Sequence, residues 1–167
     1  MSQLTGLTRY PFPANDEEVA HAQGPQAGDQ VIAKSGKLPF LLATGVATTQ
    51  EIIFLSGHTP PVINPSAALD SSEAFGDTRV QTIGVFEELQ KSLAQLGLTF
   101  ANLVKLQVFL VGDPALQGRM DNDGFSSAYA EFFGTREQPH LVSRTRVQVV
   151  SLVNPGWLVE VEAVAAR

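Results

Sequence analysis

Cysteine is absent from the 167 residues of this chain. Its absence excludes disulfides, thiolate nucleophiles and cysteine-ligated metals. Charge is sparse, at 17% of residues, and the basic share is the smaller. Eleven Lys and Arg stand against 17 Asp and Glu, for a net charge of −6. Such a balance argues against non-specific binding to nucleic acid or anionic membrane, which needs basic patches. No apolar run approaches the ~20 residues of a membrane-spanning helix. The opening stretch MSQLTGLTRYPFPANDEE holds no apolar segment fit for a signal peptide, so a cytoplasmic protein is expected. The three histidines, His21, His58 and His140, show no metal-ligand spacing, and no metal site is argued from them.

What is present suits one globular domain. Hydrophobic residues make up 44% of the chain, and its length allows a substantial core. Residues 1–30 read as an irregular N-terminal extension, punctuated by Pro11, Pro13, Gly24, Pro25 and Gly28. The rest, 31–167, reads as a single domain. Short strands are expected at Gln30–Ala33 and Phe40–Ala43, and a stronger one at Glu51–Ser56. Residues 59–76, with Pro60, Pro61 and Pro65, form a loop. A helix follows, with Thr78 and Gln81 as a capping box. Ile83, Phe86, Leu89, Leu93 and Leu96 make its buried face, and Gly97 closes it. A strand at 104–111 alternates Val104, Leu106, Val108 and Leu110 with Lys105, Gln107 and Phe109. A second helix near 122–133 carries Phe125, Tyr129, Phe132 and Phe133. Two more strands complete an α+β order, with helices on one face of a sheet.

Those last two strands carry charge where strands normally carry hydrophobes. Arg144 opens the first. Glu160 and Glu162 stand two apart in the second, so both leave one sheet face. A guanidinium offers a planar fork that pairs with a carboxylate through two parallel hydrogen bonds. Arg144 is therefore either a ligand anchor or half of an inter-strand salt bridge. A carboxylate in an apolar strand is suited to proton transfer near neutrality. Glu162 is expected to pair with a basic residue. A tight hairpin over 153–156 would set Glu160 opposite Val149 and leave Arg144 on the other side. One hairpin cannot bring the two together.

Six short motifs stand in order: Leu55-Ser56-Gly57-His58, then Thr78 to Thr82, Val104-Lys105, Tyr129 to Phe133, Arg144-Thr145 and Val159-Glu160-Val161-Glu162-Ala163. This arrangement resembles the RidA (YjgF, L-PSP) family over roughly residues 50–167, about two thirds of the chain. The resemblance implies a two-layer, chorismate-mutase-like α+β domain with a mixed sheet. It implies a homotrimer with sites between subunits, and a strand interposed between the two charged ones. It also implies a cofactor-independent deaminase that hydrolyses 2-imino and enamine acids to 2-keto acids and ammonia. Arg144 would hold the substrate carboxylate and Glu160 would orient the attacking water. Ser56, Gly57 and Thr145 would border the substrate.

Three departures from the family pattern fall at substrate-binding positions. Arg146 stands where the family often has cysteine. Ser126 stands where asparagine is expected. Phe40 is the nearest aromatic to the family's tyrosine, at a different spacing. His58 replaces a glutamine and reads as a loop residue. Arg146 leaves the same face as Arg144, so it needs an acid: Glu160 or Glu162, or a second acidic group on the ligand. Two other functions stay open. One is a non-catalytic carboxylate-binding protein of the same fold. The other is an endoribonuclease, against which the acidic balance argues.

Overall fold

The computed structural model describes residues 6–11 and 41–167. In chain order the elements are β1 (Leu7–Pro11), β2 (Leu41–Val46), β3 (Ile52–His58), α1 (Thr78–Gln95), β4 (Leu103–Val111), α2 (Asn122–Phe132), β5 (Ser143–Val149) and β6 (Val159–Ala166). β1 and β2 form an antiparallel pair of their own. The main sheet runs β3-β6-β4-β5, with β4 and β5 parallel and the other pairs antiparallel. Two helices on a mixed four-stranded sheet are the expected α+β architecture.

The alternation of β4 decides the two faces. Leu106, Val108 and Leu110 are buried under the helices, whereas Lys105 and Gln107 are exposed on the open face. On α1, Val85, Phe86, Leu89 and Leu93 are fully buried. Leu96, expected on that face, is 41% exposed because it is already the C-cap. Gly97 follows at φ +71, the left-handed conformation that closes a helix at little cost only for glycine. Phe86 is the hub of the core. Its ring lies 5.3 Å from Phe132 and from Phe133, and 6.1 Å from Phe125 and from Tyr129. Burying one such side chain contributes roughly 1.5–3 kcal/mol. This cluster fixes α2, and therefore Tyr129 and Phe125, against the sheet.

Two local readings are corrected. The N-cap of α1 is Asp77, whose carboxylate accepts from the Val80 N–H. Gln81, expected in a capping box, is buried and does other work. Its Nε2 donates to the Gly76 and Gly156 carbonyls, and its Oε1 accepts from the Leu158 N–H at 2.7 Å. Gln81 thereby ties the start of α1 to the entry of β6, the strand that carries Glu160. The extension read as irregular contains a strand, β1. From it Arg9 donates to the carbonyls of Leu141 and Ala101, at 3.1 and 2.8 Å. Those bonds anchor the β1-β2 pair to the edge where β4 and β5 begin. The strand expected at 30–33, and Phe40, lie outside the described residues.

Candidate functional site

β5 and β6 are not a hairpin. β4 lies between them, and its register settles every side chain in question. Leu106 pairs with Arg144 on one side and with Ala163 on the other. Val108 pairs with Arg146 and Val161, Gln107 with Thr145 and Glu162, and Phe109 with Glu160. Side chains of directly paired residues share a face. Arg144 and Arg146 thus lie on the helix side, and Thr145, Glu160 and Glu162 on the open side. Glu160 stands opposite Phe109, not Val149 as a hairpin would have it.

On the helix side, two guanidiniums match two rings. Arg144 lies 3.9 Å over the Tyr129 ring, and Arg146 lies 5.1 Å from the Phe125 ring. The match follows from geometry. Four residues of helix rise about 6 Å, and two residues of strand span about 6.6–7 Å, so the two pairs stack as rungs. Each contact of this kind is worth about 0.5–2 kcal/mol, more where water is excluded. Burial pushes the Arg144 guanidinium below its usual range, and Tyr129 partly offsets this. Burial raises the Tyr129 phenol in turn, with the Arg144 charge opposing. The phenol oxygen accepts from the Val142 N–H at 3.2 Å, which fixes the ring at the entry of the strand that bears Arg144.

Arg146 donates through Nη1 to the Ser126 hydroxyl at 3.0 Å and to the Asn122 carbonyl at 3.3 Å. Ser126 therefore holds Arg146. The expectation that Glu160 or Glu162 neutralises Arg146 is corrected: both acids are on the other face of the sheet. Glu162 instead accepts from Gln107 Nε2 at 2.9 Å, a neutral partner rather than a basic one. The Thr145 side chain shares that open face with Gln107, whereas the Arg144 side chain leaves the helix side.

On the open side, Glu160 meets the end of β3. The pairing slips between Leu55 and His58, so Ser56 and Gly57 form a bulge against β6. A Cβ on Gly57 would stand 2.0 Å from Glu160 Oε1. The bare backbone there is what lets the carboxylate lie across the bulge. Ser56 and Gly57 are both exposed beside it. His58 is the last residue of the strand, not a loop residue, and faces α1, where its Nε2 bonds the Ser92 hydroxyl at 2.8 Å. It fastens the bulge to the helix layer.

A cleft of about 320 Å³ runs between β2 and the β4-β5 edge, lined by Leu42, Thr44, Lys105, Ser143, Arg144 and Thr145. The Thr44 and Ser143 hydroxyls bond each other at 2.6 Å across it. The strand expected at Phe40–Ala43 corresponds to β2, but its place against β5 is not legible in the sequence, because the two meet through side chains rather than a strand ladder.

A four-stranded mixed sheet backed by two helices, with charged residues on its last two strands, defines the class: a small two-layer α+β domain with a candidate site at its sheet edge. The chain belongs to the YjgF/RidA family, described as endoribonuclease L-PSP, whose model matches residues 42–167. No match is found among curated proteins. Among solved structures it is similar to the YjgF gene product from E. coli, at 25% identity and a TM-score of 0.54, over 77% of this chain and 88% of that one. It is similar to YyfB of the Rid protein family from Yersinia pestis, at 20% identity and a TM-score of 0.57, over 77% and 86%. E. coli TdcF, solved with bound serine, matches at 24% identity and a TM-score of 0.54, over 78% and 90%. The last two likenesses show the fold. No helix among the described residues is long and apolar enough to cross a membrane.

Proposed function

We propose that the protein is a cofactor-independent deaminase of 2-imino and enamine acids. The observation that carries this reading is that the chain presents both a stacked guanidinium, Arg144 on Tyr129, and a carboxylate, Glu160, laid across the Gly57 bulge. Arg144 holds the substrate carboxylate. Glu160 orients a water molecule and takes its proton as the oxygen attacks the imine carbon. The resulting carbinolamine collapses, its nitrogen leaving as ammonia with the proton returned, and a 2-keto acid remains. An imine carbon is already electrophilic, so positioning and proton transfer suffice. The test generates imino acids in situ with an amino-acid oxidase and follows keto-acid formation. Acceleration over the uncatalysed rate is expected. Binding of keto acids without acceleration would leave a carboxylate-binding protein.

Within one protomer Arg144 and Glu160 lie on opposite faces of the sheet. The reading therefore needs a site built between copies, with Arg144 from one and Glu160 from its neighbour. The open face supports this. Phe54 is 80% exposed and Ile52 50%, an apolar surface beside Glu162 and Val164 that suits burial against another copy. We expect a homotrimer in solution. Light scattering at micromolar concentration checks this, and a monomer mass would rule out the shared site.

A further inference from the structure

We propose that Arg146 is a second anion anchor, so that the preferred ligands carry two acidic groups: imino or keto acids with a second carboxylate on the side chain. The inference rests on the reading of Arg144 as the carboxylate clamp and adds the substrate class. Four observations support it. Arg144 and Arg146 leave one face of β5 two residues apart, a Cα spacing of roughly 6.6–7 Å. Both are held in place from α2, by Tyr129 in one case and by Phe125, Ser126 and Asn122 in the other. Arg146 uses only Nη1 in those bonds, which leaves Nη2 and Nε as donors. Finally, among the described residues no carboxylate forms an ion pair with Arg146. The three pairs present are Arg79–Glu131, Lys91–Glu88 and Arg167–Glu51.

The electrostatics agree with this geometry. The Arg146 guanidinium is pushed below its usual range, first by burial and then by the Arg144 charge, with Asp123 opposing. Two like charges on one strand face oppose each other, and a bound anion relieves that opposition. A monocarboxylate neutralises one of them. A dicarboxylate neutralises both, each through the planar fork that suits a carboxylate.

Calorimetric titration of the full chain with 2-oxoglutarate and with 4-methyl-2-oxopentanoate, the keto acids of glutamate and leucine, tests the proposal. We expect the dicarboxylate to bind about tenfold tighter or more. In Arg146→Gln that ratio should fall to near one. Equal affinities in the parent protein overturn the proposal, and so does a variant that weakens both ligands by the same factor. The parent comparison stands alone if the variant does not fold. The same two side chains, supplied as imines, separate this inference from the deaminase reading. A binding preference without hydrolysis keeps the second anchor and removes the deaminase. Hydrolysis without a dicarboxylate preference does the reverse.

Discussion

Arg144→Ala is expected to lower kcat/KM for imino-acid hydrolysis by about 10²–10⁴. That range follows from two charged hydrogen bonds of roughly 1.5–3 kcal/mol each, lost together. The fold should survive. Arg144 stacks on Tyr129, but the ring is fixed independently, by the Val142 N–H and by Phe133 at 4.5 Å. Loss of the stacking should cost only about 1–2 kcal/mol of stability. Circular dichroism and the assembly mass should match the parent. Arg144→Lys should recover little activity, because an ammonium keeps the charge but not the fork. Near-full turnover in Arg144→Ala would sink the clamp assignment. Unfolding would instead make Arg144 a structural cation of the α2–β5 contact.

Glu160→Gln should lower kcat by about 10²–10⁴ and move KM little, since the amide keeps the shape but cannot take a proton. Its fit across the Gly57 bulge is preserved, so stability should be nearly unchanged. A variant that retained kcat would remove Glu160 from the chemistry. The two variants together test the shared site. If Arg144 and Glu160 act across an interface, equal mixtures of Arg144→Ala and Glu160→Gln, unfolded and reassembled, should regain on the order of a quarter of parental activity through interfaces with both residues intact. Mixtures that stay inactive would place both residues in a site within one subunit.

Much of the fold was legible in the sequence because local periodicity is a local property. The apolar spacing of α1, the alternation of β4 and the aromatic run of α2 each declared an element. The charged residues Arg144 and Glu160 stood out for the same reason, since they break an apolar pattern. Strand order was not legible from the residues, because parity says which side chains share a face but not which strand lies alongside. Parity alone could exclude a single hairpin as the source of the site, but it could not say that β4 lies between β5 and β6. The resemblance supplied the interposed strand that the residues could not. β1 was missed because Pro11 and Pro13 read as punctuation, and because its ladder has a single partner strand. The capping reading of Gln81 does not hold because the buried amide bonds the Gly76 carbonyl before the helix and two backbone groups, of Gly156 and Leu158, remote from it.

The position of β6 has a kinetic consequence. It lies between β3 and β4, yet both precede it in the chain, and it is paired along nearly its whole length on either side. Until residues 159–166 dock, β3 has no partner in the main sheet and β4 only β5. Most of the sheet's ladder therefore forms in one late step that closes long loops, which is entropically slow. During that interval the open edges of β3 and β4, with Ile52 and Phe54 beside them, are available to other chains. Refolding yield should thus fall with protein concentration well before it responds to substitutions in the helix layer.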